Sequence, residues 1–396
     1  MQRTSEIVSP HQTDVVVIGG GISGAAAAYE LARSGAKVAL LEKGQLASMA
    51  SGWTLAGVRQ SGRHPAELPL AQAAVARWAE LARELDADVE YRREGNLRLA
   101  RTPEDVPVIQ SIVAEQQALG LDLVFLPDNT AVREVAPALA ETVLAASFCP
   151  TDGHANPVAA VQAFAAAAQR HGAEIRTETS ATAITVAGGK VQGVHTDDGP
   201  IAADAVVVAA GIDTPRLCAP LGLDLPIEIG HVSVVQTVAV PPLITQVLGV
   251  ASADLALRQE VGGRVRFTGG GTPWPHEFDA LADGNDPVMP PAAHVAAALS
   301  RATEVLPALA AAPLARVWGG LLDMTPDALP VIERVPEVEG LVVVAGFSGH
   351  GFCLGPVTGE IVRDLVHRGT TAYPIAPFRS GRFDHGKARE AMTLHG

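Results

Sequence analysis

DVVVIGGGISGAAAAYELARSGAKVALLE, running from Asp14 to Glu42, is the stretch whose reading decides the fold. An apolar run from Val15 to Ile18 stops at glycines, a helix of small residues is predicted from Gly21 to Arg33, and a second apolar run, Val38 to Leu41, ends on an acid. This is a βαβ unit with Gly19, Gly21 and Gly24 in the G-x-G-x-x-G register. Gly19 permits the tight turn off the strand, Gly21 lets a pyrophosphate approach the backbone, and Gly24 lets the helix close on the sheet. The free N–H groups and positive dipole end of the helix then face the phosphates, an effect of ~0.3–1 kcal/mol per exposed charge. Glu42 stands where a carboxylate accepts from both ribose hydroxyls and repels a 2′-phosphate. The glycines alone fit a helix start in any α/β protein; strand, helix and terminal acid together favour a dinucleotide.

The chain has 396 residues, a length that favours two packed domains. Its 29 basic and 43 acidic residues give a net charge of −14, which opposes nucleic acid or an anionic membrane as a partner. Cys149, Cys218 and Cys353 are odd in number and far apart, so neither a disulfide framework nor a CxxC metal or iron–sulfur site is encoded. That usage fits a reducing compartment, the cytoplasm. The segment MQRTSEIVSPHQT has no apolar core and the hydrophobic run after it is broken by glycines, so neither a signal peptide nor a membrane span is expected.

Past the βαβ unit, Leu46 to Arg63 reads as an extended loop close to a ligand, followed by a long helix in AELPLAQAAVARWAELAREL. VEYRREGNLRLAR alternates around Gly95 as a hairpin, with a helix from Glu104 to Leu119 after it. Pro157 opens another helix, Gly188 and Gly189 turn a second hairpin, and AADAVVVAAG is a buried strand. Strands are predicted at Ile227–Val240, Leu255–Gln259 and Arg264–Thr268, with a helix from Pro291 to Leu306. The strand LVVVAG and a helix from Pro356 to His367 return to the first domain.

GGGISG with Glu42, ASGWTLAGVR, VVVAAG, MTPDALPVI and AGFSGHGFCLGPVTGEIV together resemble the FAD-dependent amine and amino-acid oxidoreductases, the family of D-amino-acid, glycine and sarcosine oxidases. Within it the chain looks most like the flavin-bearing β subunits of multi-subunit sarcosine, proline, hydroxyproline and opine oxidases or dehydrogenases. The resemblance implies an α/β fold, with an N-terminal Rossmann-type FAD-binding domain interleaved with an α+β substrate domain on a mainly antiparallel sheet. Residues 1–88, 146–224 and 315–396 fall to the first, and 89–145 and 225–314 to the second. It implies a cofactor set of Gly19, Gly21, Gly24, Glu42 and Lys43 at the ADP half, and Ser51, Gly52, Ala56 and Gly57 along the ribityl and ring. Gly346, Ser348, Gly349, His350, Gly351 and Phe352 stand at the pyrimidine end, and Ala183, Ala210 and Gly211 complete the set. Gly320 and Thr54 occupy places where relatives carry a cysteine or histidine bound to flavin, so non-covalent FAD is expected.

Oxidation of an amino acid needs the Cα–H aimed at flavin N5, a neutral amine, and a cation on the carboxylate; hydride transfer then gives an imine. D-amino-acid and glycine oxidases hold the carboxylate with arginine and tyrosine, but of Tyr29, Tyr91 and Tyr373 only Tyr91 is placed for this. The catalytic candidates are His350, Arg316, Arg59 and His231. Arg258 and Arg266 read as solvated charges on a hairpin, His154 as a loop-stabilising residue, and Cys353 as a small buried hydrophobe.

The resemblance therefore implies a FAD-dependent enzyme oxidising the C–N bond of an amino acid or secondary amine, of D-, N-alkyl or cyclic amino-acid type. The alternatives are a 2-hydroxy-acid dehydrogenase of the same fold and a non-catalytic flavoprotein subunit. None of Lys37, Lys43, Lys190 and Lys387 is placed to activate oxygen near N5, so a dehydrogenase is expected. Partner subunits, including an iron–sulfur or second flavin protein, would then carry the electrons away.

Overall fold

The computed structural model describes residues 11–274 and 288–383. The βαβ unit forms as strand His11–Ile18, helix Ile22–Arg33 and strand Val38–Leu41. Along the first strand Val15 and Val17 enter one apolar cluster, while Val16 and Ile18 enter another, the period of two expected of a strand buried on both faces. Parallel pairing then builds the order Leu341–Ala345, Gly199–Val208, His11–Ile18, Val38–Leu41, Glu174–Arg176. Val331–Arg334 joins one edge antiparallel, and the hairpin Ala181–Ala187 with Lys190–Thr196 extends from Gly199–Val208.

Helices cover one face of this sheet. The glycines of helix Gly351–Arg368 explain how closely it lies on helix Ile22–Arg33: a β-carbon at Gly355 would sit 2.4 Å from Ile22, and one at Gly359 would sit 2.7 Å from the Ala26 backbone. That helix begins five residues before the expected Pro356, which stands inside it. Its first turn is therefore part of the site.

The second sheet has nine strands, all antiparallel except for Val247–Val250 beside Asn96–Ala100. Its long members, Glu228–Ala239 and Leu314–Met324, pair over most of their length. Strand Ala145–Cys149 also belongs here, so the boundaries expected at 146 and 315 fall inside this sheet. Ala145–Cys149 is buried along nearly its whole length, as the strands of the parallel sheet are, which is why its sequence did not assign it to either sheet. The hairpin expected around Gly95 is absent: Asn96–Ala100 pairs with Ala145–Cys149, and Arg92 makes a single bridge to His154. Gly95, at φ +96°, brings the backbone beneath Phe148, where a β-carbon would lie 2.3 Å from the ring. The predicted loop Leu46–Arg63 contains a helical turn, Ala50–Trp53, and a two-residue strand, Gly57–Val58, paired with Gly153–His154.

Candidate active site

Two cavities meet between the sheets. The first opens along Gly19, Gly21, Lys43, Ser51, Ala210 and Gly211. The second lies against the antiparallel sheet, and both share Ala50, Thr54, Leu322, Gly349 and Phe352 as walls.

The glycine turn behaves as its spacing predicts. A β-carbon on Gly19, at φ +112°, would lie 2.3 Å from the Ala209 carbonyl, and one on Gly24 would lie 1.9 Å from the Gly19 carbonyl. Gly21 differs, since it faces the cavity and its closest neighbour is Ser51 Oγ, 3.0 Å from such a carbon. Ser51 Oγ accepts from the Ile22 N–H at 2.9 Å and so satisfies one donor at the helix start. Glu42 is buried, and its two carboxylate oxygens accept from the N–H groups of Gly20 (2.6 Å) and Gly44 (2.8 Å). Burial pushes its pKa up against those two bonds. Lys43 lines the cavity paired with Asp213 at 2.5 Å.

The residues fit a dinucleotide cofactor such as FAD, because the cradle exists only with hydrogens at Gly19 and Gly24. Ser51, Ala210, Gly211, Gly349, Gly351 and Phe352 line the first cavity, and Gly57 the second. The others of the expected cofactor set stand behind the walls. Gly52 packs on the Ala47 carbonyl, Ala56 is fully buried, and Ala183 is exposed on its hairpin strand, one pleat away from Ala181, which lines a recess beside Lys43. Gly346 and Ser348 shape the late loop from behind: Asp323 Oδ2 accepts from the Gly346 N–H at 2.6 Å, and its carbonyl accepts from the Ser348 N–H at 3.0 Å. Burial pushes the Asp323 carboxyl up to about 6, against those backbone donors.

In the second cavity the strand period sorts the side chains. Leu97 and Leu99 enter the core of the antiparallel sheet, whereas Asn96 and Arg98 face the cavity. Val232 and Val234 likewise line it, which turns His231 to the opposite side, where its ring lies 5.4 Å from Trp274 and 6.5 Å from His294. Arg316 is exposed, its guanidinium 5.0 Å from the Trp318 ring centre. It shares a face with Gly320 and Leu322, but four residues at ~3.3 Å each carry it beyond the cavity. His231 and Arg316 therefore do not enter the site as expected.

Arg59 does, together with two arginines that sequence reasoning missed, Arg63 and Arg98. Arg63 and Arg98 are buried, and Arg59 is half-buried with its guanidinium enclosed. Their loop is fixed from below: Asp152 accepts from the N–H groups of Gln60 (2.8 Å) and Ser61 (3.2 Å), and Gln116 accepts from the Gly62 N–H and donates to the Arg63 carbonyl, each at 3.0 Å. Burial first, then Arg63 and Arg98, push Arg59 down to about 9; burial and Arg63 push Arg98 to about 10. Both directions favour an anion in this cavity. The signal for Arg63 was its place four residues before Glu67, and for Arg98 a charge alternating with leucines.

His350 lines neither cavity; it is buried with Nδ1 2.9 Å from Glu67 Oε2. Cys353 also turns away, its Sγ 3.4 Å from the Arg59 carbonyl, and Tyr91 packs on Trp78. Arg258 and Arg266, read as solvated, are buried and partly buried. Arg258 donates to the Leu55 carbonyl, Arg266 to the Thr54 carbonyl at 2.8 Å, and Trp318 Nε1 to the Trp53 carbonyl at 3.4 Å. His154 Nδ1 accepts from Arg258 Nη1 at 3.0 Å, since a guanidinium can only donate, and burial, then Arg258, push the imidazole down to about 3. Among the described residues the only lysine lining either cavity is the paired Lys43, and Lys387 lies outside those residues. No helix among them is long and apolar enough to cross a membrane.

A family model described as DAO, FAD dependent oxidoreductase, matches residues 14–365. Glycine oxidase of Geobacillus kaustophilus (strain HTA426) is 32% identical over 385 residues, covering 93% of this chain and 96% of that protein. Sarcosine oxidase subunit beta of an Arthrobacter species is 29% identical over 396 residues, covering 96% and 94%. The crystal structure of L-proline dehydrogenase from P. horikoshii superposes with a TM-score of 0.87 at 28% identity, covering 96% of this chain and 100% of that one.

Proposed function

Given that this chain belongs to the DAO family of FAD-dependent oxidoreductases and acts on the C–N bond of an amino acid or secondary amine, we propose that its substrate is a small amino carboxylate anchored by Arg59, Arg63 and Arg98. The observation that carries this reading is the convergence of three buried guanidinium groups on the cavity that adjoins the dinucleotide cleft. Arginine presents a planar fork matched to a carboxylate, and burial makes each such contact stronger than in water. Asn96 and Thr268 add neutral hydrogen-bonding groups, while Val232, Val234, Val250 and Leu322 exclude water around the remainder of the substrate. When bound, FAD supplies the two-electron acceptor for the substrate carbon. The chain's own work is orientation: the arginine wall fixes one end of the substrate, and the walls at Thr54, Leu322 and Gly349 leave the other end facing the cofactor cleft. With Gly320 and Thr54 at the places of covalent attachment, the flavin is held non-covalently, and acid precipitation releases it into the supernatant.

The electrons pass to partner subunits rather than to oxygen in this reading, because no free lysine ammonium stands at the substrate cavity among the described residues. The relatives named as sarcosine oxidase subunits are parts of larger assemblies, which supports the same view. The test is anaerobic titration of the flavin-loaded protein with D-, N-alkyl and cyclic amino acids beside matched 2-hydroxy acids. Bleaching by an amino carboxylate and not by its amide or hydroxy analogue is expected. Equal bleaching by the uncharged amide overturns the arginine anchor.

A further inference from the structure

Behind the arginine wall lies a buried cluster that this reading does not use. Glu67 is completely enclosed, with Oε2 2.9 Å from Nδ1 of His350 and Oε1 3.5 Å from Nη1 of Arg63. Arg63 thus has the cavity on one side and the Glu67–His350 pair on the other. Among the described residues, Arg63 Nη1, Glu67 Oε1 and His350 Nε2 are buried without a hydrogen bond. A neutral imidazole that donates from Nδ1 to a carboxylate leaves Nε2 as an open acceptor.

Amino acids arrive with the amine protonated, and oxidation at carbon needs the nitrogen lone pair. One N–H bond must therefore break, with its electron pair remaining on nitrogen. We infer that binding of the substrate carboxylate at Arg63 drives protonation of His350, so that the Glu67–His350 pair holds the proton the amine must lose. The amine releases its proton to solvent and a proton from solvent forms the new N–H bond at Nε2, so protons balance and no electron changes hands in the step. The inference rests on the carboxylate reading of the arginine wall.

The charges facing His350 set the sign. Arg63 and Arg59 oppose a proton there and Glu67 favours it, while Asp152 and the Cys353 thiol stand at the edge of the same cluster against the Arg59 segment. Burial and then Arg63 push the imidazole down to about 4 against the pull of Glu67, so the ligand-free ring is neutral near pH 7. A carboxylate on Arg63 cancels the strongest opposing charge, and the Glu67 carboxylate then acts on the ring unopposed from that side. His350 acts through Arg63 and is a positioning and proton-holding residue, not one in contact with substrate.

Propionate, a carboxylate with no amine, isolates the protein's own proton exchange. Flavin-loaded protein is titrated calorimetrically with propionate in buffers of different ionisation enthalpy, and the slope of heat against that enthalpy counts protons. The expected result is uptake of a fraction of a proton that grows from about pH 8 to about pH 6. Uptake should vanish in His350→Asn and in Glu67→Gln while propionate still binds, and return in part in Glu67→Asp. A purely structural His350 would lower affinity without changing the count. Binding with no uptake in the unmodified protein, or unchanged uptake in His350→Asn, overturns the inference. Absence of binding overturns the carboxylate anchor and this inference with it. If His350→Asn loses its flavin absorbance and circular dichroism, Glu67→Gln decides.

Discussion

Arg59 and Arg98 close on the same glycine from different elements: a β-carbon on Gly62 would lie 3.0 Å from Nη1 of the first and 2.6 Å from Nη2 of the second. One guanidinium comes from the loop after the two-residue strand Gly57–Val58 and the other from the antiparallel sheet, so the proposed anion site forms only where that loop meets the sheet. Like charges held this close at a buried site are stabilised by an anion between or beside them.

Arg98→Met keeps the length and packing of the side chain and removes one of these charges. Losing one partner of a buried charged contact typically costs ~3–5 kcal/mol, or on the order of 10²–10⁴-fold in affinity. The apparent substrate affinity should fall by that order with the flavin spectrum unchanged. Arg316→Ala, at an exposed residue over Trp318, should alter it less than about twofold. The reverse ranking in steady-state kinetics would place the carboxylate elsewhere.

Two glycines of one motif should fail differently. Gly21→Leu points into the cleft, its β-carbon meeting only the Ser51 side chain, so the protein should fold with native circular dichroism and carry little FAD. Gly24→Ala drives a methyl into the Gly19 carbonyl, 1.9 Å away, and should lower the melting temperature and the soluble yield. Full flavin occupancy in Gly21→Leu would remove the pyrophosphate from this turn.

Buried His154 sets a pH dependence of stability. Burial and Arg258 push its folded pKa down to about 3, against ~6.5 in the unfolded chain. Between those values the unfolded state binds more protons, so stability is full above about pH 6.5 and falls toward pH 3, by at most ~1.4 kcal/mol per unit from this residue. His350, pushed down to about 4, adds a change of the same sign. Melting temperatures between about pH 7 and pH 4.5 should fall, and His154→Gln should flatten the slope; an unchanged slope would show that Arg258 does not depend on a neutral ring.

Reaction with oxygen tests the role assigned to partner subunits. With Lys43 paired to Asp213 and no other lysine lining either cavity among the described residues, substrate-reduced protein should reoxidise slowly in air and rapidly with an artificial acceptor. Stopped-flow traces showing fast, saturating peroxide formation by the isolated chain would make it a self-sufficient oxidase.

The parallel half of the fold was legible because local chemistry dictates it: Gly19 and Gly24 tolerate no side chain, and Val15 to Ile18 read as a strand buried on both faces. Gly21 follows from the same turn chemistry, whereas Ser51 and Gly349 came from the family resemblance; all three line the first cavity. What sequence order hides is facing. His231 and Val232 are adjacent, yet the pleat sends only one to the cavity, and Arg316 lies on the cavity side but past its end. Arg98 looked like one charge in a leucine-rich strand because its meaning depends on Arg59, nearly forty residues earlier and across a sheet junction.

Arg258, Arg266 and Trp318 grip the junction through three successive carbonyls, those of Leu55, Thr54 and Trp53. Every residue type carries a carbonyl, so this grip is indifferent to which side chains occupy positions 53–55. Those same side chains line the substrate cavity, and Thr54 borders the cofactor cleft as well. The pocket can thus be recut at its most influential positions while the two halves of the molecule stay fastened. Such a scaffold lends itself to diversification, and libraries at Trp53, Thr54 and Leu55 are the natural place to redirect its choice of amine.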